Sequence, residues 1–106
     1  MRSEDTFPIH ANVEPSEISL GTVPASKYKR KVFNLVLNEH SGAVNTLDLT
    51  FVHGGVTSVM KLHIGAYDFI DVPVEQVASI EADGGTEIRA VAGATSIEIL
   101  MVCQDL

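Results

Sequence analysis

Two stretches of the chain arrange their apolar residues so that they would face each other across a tight turn, as in antiparallel β-hairpins. The first stretch runs from Leu47 to Ile64 and has Gly54 and Gly55 near its centre. Folding about a four-residue turn at residues 54–57 pairs the apolar residues on one face. These pairs are Phe51 with Met60, Leu49 with Leu62, and Leu47 with Ile64. The predicted register therefore buries one face of both strands.

The second stretch runs from Glu87 to Cys103 and contains a turn sequence at residues 93–96. Folding there also places apolar pairs on one face, namely Ala92 with Ile97, Ala90 with Ile99, and Ile88 with Met101. Because side chains alternate between the two faces of a strand, both stretches predict strands with one buried face. The pattern indicates an all-β domain.

Short strands separated by turn residues recur along the rest of the chain. With 45% hydrophobic residues, few aromatic residues and no tryptophan, the core falls to Val, Ile and Leu, which favour strands. The predicted strands are Glu17–Val23, Lys29–Glu39, Asn45–His53, Ser58–Ile64, Asp68–Val72, Val77–Glu81, Thr86–Ala92 and Ser96–Val102. About eight strands at this spacing predict a single antiparallel β-sandwich that is jelly-roll-like.

The first 16 residues differ from the rest of the chain. They contain Pro8 and Pro15 and show no alternation of apolar and polar residues. We therefore expect residues 1–16 to form an extended N-terminal arm rather than a core strand, and residues 17–106 to form the β-sandwich domain.

The net charge of −7 makes nonspecific binding to nucleic acid unfavourable, because phosphate recognition needs a positive field. The sequence contains no apolar signal-peptide core behind its N-terminus and no apolar stretch of about 18 residues. We therefore expect neither Sec export nor a membrane span.

The order of strands and turns resembles small virion proteins of tailed phages. The resemblance rests on the runs Leu20–Ala25, Lys31–Asn38, Thr46–Leu49, Gly84–Ala90 and Ile97–Ile99, within residues 18–103. Such proteins are β-sandwich modules that serve as capsid decoration, head fibre or tail-associated subunits. The resemblance implies a virion location after assembly in the host cytoplasm, and contact with the major capsid protein or another virion protein.

A basic cluster stands out in this acidic chain, since residues 27–31 hold four of its seven Lys and Arg residues. It could contact an acidic capsid surface or, together with Tyr28, a nucleic-acid strand. Alternatively, these side chains blunt an exposed strand edge. The candidate partner-contact residues are Lys27, Lys29, Arg30 and Lys31.

Three apolar residues are predicted on the outward side of the second hairpin, namely Val91, Leu100 and Val102. The predicted register places Leu100 opposite Arg89 and Val91 opposite Glu98, a mixture of apolar and charged residues that is common at subunit interfaces. We therefore expect these three residues to form a homo-oligomer interface, with a trimer favoured. The alternative is that the arm or another strand of the same chain covers them.

Reactive side chains lack the spacing that chemistry requires. There is no Gly-x-Ser-x-Gly elbow and no phosphate-binding glycine loop, while Cys103 lies in an apolar strand. The predicted register pairs His63 with Asp48 on the outer face. The acidic residues of the C-terminal half lack a calcium-loop pattern: Asp68, Asp71, Glu75, Glu81, Asp83 and Glu87. We expect no enzymatic activity, no metal and no cofactor.

Two functions are compatible with these features. The favoured one is a structural virion protein that self-associates and docks on a viral capsid as a decoration or accessory subunit. The alternative is a small β-sandwich module that binds a carbohydrate or another small ligand through loops at one end. Sugar sites usually stack rings on aromatic side chains, and Tyr28 and Tyr67 are the only Tyr or Trp residues of the chain.

Overall fold

The computed structural model describes residues 6–72 and 80–106. Within these ranges the chain forms nine strands and no helix. The strands are β1 (Thr6–Val13), β2 (Ile18–Thr22), β3 (Lys29–Asn38), β4 (Asn45–His53), β5 (Val56–Ile64), β6 (Phe69–Asp71), β7 (Glu81–Asp83), β8 (Glu87–Ala92) and β9 (Ile97–Asp105). The structure contains no helix that is long and apolar enough to cross a membrane, within these same ranges.

The strands form two antiparallel sheets. The five-stranded sheet has the order β1-β9-β3-β6, with β7 also pairing with β3, and the four-stranded sheet has the order β2-β8-β4-β5. All pairings are antiparallel. The sequence prediction of an all-β sandwich is therefore confirmed.

The core lies between the sheets and follows the alternation in the sequence. The five-stranded sheet contributes buried residues that include Leu35, Leu37, Ile97, Ile99 and Met101. The four-stranded sheet contributes Leu47, Leu49, Ile88, Ala90 and Ala92. Because alternate side chains point to opposite faces, every second residue of these strands is removed from water. The apolar faces expected from the sequence are the buried ones.

The first predicted hairpin forms, but with a different register. Leu49 lies opposite Met60 and Leu47 opposite Leu62, so the predicted register is wrong by two residues. The turn consists of Gly54 and Gly55 alone, with φ angles of 57° and 81°. Positive φ at both central residues is the requirement of a two-residue type I′ turn. A shift by two residues keeps the same face buried. Consequently Asp48 lies opposite Lys61, and not opposite His63 as predicted.

The second predicted hairpin does not form. Strand β8 belongs to the four-stranded sheet and β9 to the five-stranded sheet, so the residues between them cross from one sheet to the other. The main chain of this connection is held by β4, since Gly93 N–H donates to Thr46 O at 2.9 Å and Ala94 N–H to Asn45 Oδ1 at 2.8 Å. Two strands that face each other across a core show the same apolar alternation as a hairpin with one buried face.

The structure also adds a strand near the N-terminus. Residues 6–13 of the expected arm form β1, which pairs with β9 at the edge of the five-stranded sheet. An edge strand tolerates Pro8 because its missing N–H can face away from the neighbouring strand. The predicted boundary at residue 16 stays a prediction. The predicted strand Val77–Glu81 falls mostly outside the described residues, and Glu81 begins β7.

Candidate interaction surfaces

Arg30 of the basic cluster pairs with residues of its own chain. The residue is only 7% exposed, and its Nε and Nη2 atoms donate to Asp105 Oδ1 and Oδ2 at 2.7 and 3.1 Å. The guanidinium carbon lies 4.9 Å from the centroid of the Phe7 ring. A bidentate pair with a stacked ring fixes the guanidinium firmly. The guanidinium of Arg30 is therefore engaged within its own chain, and its predicted role as a partner contact stays a prediction.

The lysines of the cluster differ in their surroundings. Lys29 and Lys31 lie on either side of Glu81, with Nζ to carboxylate oxygen distances of 3.1 and 3.9 Å. The hydrogen bond that Lys29 donates to Glu81 raises the pKa of Lys29. Strand β3 has neighbours on both sides, so these lysines do not blunt an open edge. Lys27 is exposed and has no ion-pair partner in the part of the chain that the structure describes.

Two of the predicted interface residues lie on the outer face of the five-stranded sheet. Leu100, which is 37% exposed, stands between His10 of β1 and Val36 of β3. Val102 stands beside Pro8 on the same face. We define the sheet-face patch as Pro8, Val36, Leu100 and Val102. It is an apolar area at the centre of a sheet, where solvent contact is costly for aliphatic side chains.

Val91 lies elsewhere. It belongs to β8, where it pairs with Asp48 of β4 on the outer face of the four-stranded sheet. The two sheets of a sandwich are about 10 Å apart, and the core lies between their inner faces. Val91 therefore cannot share one surface with Leu100 and Val102, and the expected stripe of three residues is wrong.

Polar groups border the sheet-face patch at one end. The Glu98 carboxylate lies 2.9 Å from His10 Nε2 and accepts a hydrogen bond from Asn38 Nδ2 at 3.3 Å. These hydrogen bonds, His10 first, lower the pKa of Glu98. An apolar centre with a polar rim is the general anatomy of a protein interface.

The loop that follows β3 is built around Glu39, a residue that the sequence analysis missed. Its side chain is fully buried, and its Oε1 atom accepts hydrogen bonds from the N–H groups of Ser41, Gly42 and Ala43 at 2.9, 2.7 and 3.2 Å. Oε2 accepts from Ser41 Oγ at 2.7 Å and Asn45 Nδ2 at 3.3 Å. Burial alone would raise the pKa of Glu39, but the donors lower it to about 2. Both oxygens of the carboxylate already accept hydrogen bonds from the loop and from Asn45, so the group is not available for catalysis.

The sequence contained one signal for this arrangement. Glu39 lies two residues before Ser41 and three before Gly42, and a carboxylate just before a Ser-Gly turn can accept from the N–H groups that the turn exposes.

The remaining reactive side chains do not come together. Among residues 6–72 and 80–106, no three His, Cys, Asp or Glu side chains are placed to hold a metal ion. Glu75 of the acidic set lies outside the described residues. His63 pairs with Thr46 across the hairpin. Cys103 is buried, and this burial raises the pKa of its thiol to about 11.

The two tyrosines lie at opposite ends of the sandwich. Tyr28 immediately precedes β3, whereas Tyr67 is in a loop at the other end, where Glu39 N–H donates to Asp68 O at 2.9 Å. The ten residues of β3 separate these ends by roughly 30 Å. A groove of about 400 Å³ lies at the Tyr67 end, between Val44, His63 and Gly93. The two rings cannot form one stacking platform.

Comparison with solved structures finds a similar fold in a capsid protein. The chain is similar to a pentameric capsid protein isolated from metagenomic phage sequences, with a TM-score of 0.51 and 13% identity over 92% of this chain and 67% of that chain. A further structure with the same description has a TM-score of 0.46 and 10% identity, over 92% and 60% of the two chains. No model of a known protein family and no curated protein matches the sequence. At the level of fold, the resemblance to phage virion sandwiches is confirmed.

Proposed function

We propose that this chain is a structural, non-enzymatic subunit of a phage particle. The observation that carries the proposal is the fold that it shares, over 92% of its length, with a pentameric capsid protein of phage origin. The strand orders β1-β9-β3-β6 and β2-β8-β4-β5, in which most connections change sheets, support a jelly-roll topology of the kind used by viral capsid domains. A virion location and a role as a decoration or accessory subunit follow from this proposal.

The subunit self-associates through the sheet-face patch. Leaving Leu100, Val102 and Val36 in water forgoes about 25 cal/mol for each Å² of apolar surface that could be buried. In a closed ring each subunit covers the patch of its neighbour, so no patch stays exposed to solvent. The sequence favours a trimer, while the structurally similar protein is a pentamer. The number of subunits is read directly from the mass of the assembly.

We assign docking on the capsid to the basic cluster, but to fewer of its residues than the sequence suggested. Since Arg30 pairs with Asp105 and both Lys29 and Lys31 flank Glu81, Lys27 is the member whose charge has no partner among the described residues. A single exposed ammonium group contributes little affinity. We therefore expect the sheet-face patch to contribute more to assembly than the basic cluster does.

The decisive test is the mass of the parent protein and of the variant Leu100→Glu, measured by analytical ultracentrifugation over a hundredfold range of concentration. We expect an oligomeric parent and a smaller species for Leu100→Glu, because a carboxylate cannot be buried unpaired in an apolar interface. The β-sheet circular dichroism should stay unchanged because Leu100 points away from the core. Val91→Glu is the matched control, on the other outer face, and should keep the parental mass.

A parent protein that is monomeric at every concentration would contradict self-association. An unfolded Leu100→Glu variant would show instead that the patch is covered by its own chain. The alternative of a carbohydrate-binding module has less support, since the rings of Tyr28 and Tyr67 are at opposite ends and the groove near Tyr67 has no second exposed tyrosine.

A further inference from the structure

Strand β5 forms one edge of the four-stranded sheet, and its backbone has a defined orientation there. In a two-residue hairpin, the residues that flank the turn, His53 and Val56, exchange backbone hydrogen bonds. Hydrogen-bonded and non-hydrogen-bonded positions then alternate along the strand. The residues of β5 whose N–H and C=O groups point away from β4 are therefore Thr57, Val59, Lys61 and His63. In the part of the chain that the structure describes, no strand pairs with this side of β5.

Among the described residues, the other edges are protected in ways that β5 is not. Edge strand β1 contains Pro8, which has no N–H to offer, and β2 has five residues and a register shift between Ser19 and Gly21. Strands β6 and β7 have three residues each and carry Asp71, Glu81 and Asp83. Natural proteins use such short strands, prolines, bulges and charges to prevent pairing with another chain. By contrast β5 has nine residues, no proline and no register shift against β4.

The charges on β5 indicate which partner can approach it. The chain as a whole has a net charge of −7, so two copies repel each other over most of their surfaces. Strand β5 contains Lys61 and His63 and no carboxylate. The ammonium group of Lys61 is compensated within the chain by Asp48, whose Oδ1 lies 3.0 Å from Nζ. Two β5 strands can therefore meet without the repulsion that opposes contact elsewhere.

We propose that β5 is a second contact between copies, in which the β5 strands of two subunits pair antiparallel about a twofold axis. The axis passes beside Val59, which is 58% exposed and is the apolar member among the four residues with outward backbone groups. Val59 then faces Val59 of the second copy, and Thr57 faces Lys61. A register centred on Lys61 would instead oppose two ammonium groups. An isologous pair uses both edges and closes, so it does not propagate into a fibre.

This pairing deepens the proposed structural role, because a sheet-face contact that closes a ring needs a different contact to join one ring to another. The two contacts lie on different sheets and are independent. The β5 pair joins two four-stranded sheets into one continuous sheet, whereas the sheet-face patch belongs to the five-stranded sheet.

The test uses opposite charges at the axis. We expect Val59→Lys and Val59→Asp each to reduce the mass of the largest parental species by half, because two like charges would face each other. An equimolar mixture of the two variants should restore that mass. Val44→Lys is the matched control: Val44 is 78% exposed in the loop before β4, and this variant should keep the parental mass.

Hydrogen exchange of the parent gives a readout that needs no variant. The amides of Thr57, Val59 and Lys61 should become protected as the protein concentration rises. Protection that does not change with concentration, or a Val59→Lys and Val59→Asp mixture that stays at half mass, would overturn the β5 pair. A Leu100→Glu protein that is dimeric retains β5 pairing. A Leu100→Glu protein that is monomeric where the parent is a ring contradicts the pair and leaves the ring proposal intact.

Discussion

At the scale of single residues, the loop after β3 depends on one buried carboxylate. Glu39 accepts hydrogen bonds from three consecutive backbone N–H groups, and Asn45 links the same loop to the β8–β9 connection by donating to Thr95 O at 2.7 Å. Buried backbone donors must find acceptors, and a carboxylate provides several within one side chain. Glu39 thus fixes the loop end of the sandwich, beside the crossing between the two sheets.

We predict that the protein loses stability in acid through Glu39. The pKa of this group is about 2 in the folded chain and 4.5 in its unperturbed state, so its contribution is complete above pH 4.5 and falls as the pH drops towards 2. Thermal melts between pH 7 and pH 2.5 should show this decline. Glu39→Gln should melt lower at pH 7 and show a shallower decline. An identical pH profile for both proteins would contradict the assignment.

At the scale of strands, the sequence predicted the buried face of each strand better than it predicted which residues lie opposite each other. Alternation placed Leu47, Leu49 and Ile99 in the core correctly, because side-chain direction in a strand has a period of two. The same period cannot detect a shift of two residues, and this is why the register of Leu49 was missed. Only the turn decides it, through the backbone conformation of Gly54 and Gly55.

The interaction surfaces were predictable to the same extent. Leu100 and Val91 were correctly expected to point outward, but alternation does not tell which sheet contains each strand. Strand β1 was missed because a strand at a sheet edge keeps half its residues exposed and tolerates Pro8, so its pattern is weak. The ion pair of Arg30 and Asp105 joins residues far apart in the sequence, so no local sequence pattern predicts it.

We predict that substitutions at Gly54 in the β4–β5 turn change stability only through the backbone conformation that the turn requires. A Cβ atom at Gly54 would meet nothing within 4 Å, so any effect of a substitution comes from its φ angle of 57°. Gly54→Val should cost about 1–2 kcal/mol because branched residues disfavour this left-handed region. Gly54→Asn should be nearly neutral because asparagine is common in type I′ turns. Urea denaturation checks both. Equal stabilities would contradict the two-residue turn.

At the scale of the whole molecule, the surface is acidic and its positive charges are largely compensated. Within residues 6–72 and 80–106, five Lys and Arg side chains pair with carboxylates, namely Lys29, Arg30, Lys31, Lys61 and Arg89. The unpaired carboxylates therefore set the field between two copies, and the interfaces proposed above are the apolar sheet-face patch and a β5 edge that lacks carboxylates.

We predict that salt strengthens self-association. Like charges repel over about 30 Å at 0.01 M salt but only over about 8 Å at 0.15 M. Raising the salt concentration from 0.01 to 0.15 M should shift the sedimentation profile towards the larger species. Leu100→Glu, which lacks the sheet-face contact, should respond less. Dissociation of the parent on adding salt would indicate an interface built on ion pairs and would contradict the apolar one.

The pairing of β1 with β9 has a consequence for synthesis on the ribosome. The five-stranded sheet unites segments from near both ends of the sequence, and β9 is the central strand between β1 and β3. Until β9 has left the exit tunnel, β1 and β3 have no common neighbour, and the β4–β5 hairpin is the main pairing available between strands adjacent in sequence. Distant pairings slow folding and leave apolar strands exposed for longer. The nascent chain therefore stays vulnerable to aggregation until β9 has emerged.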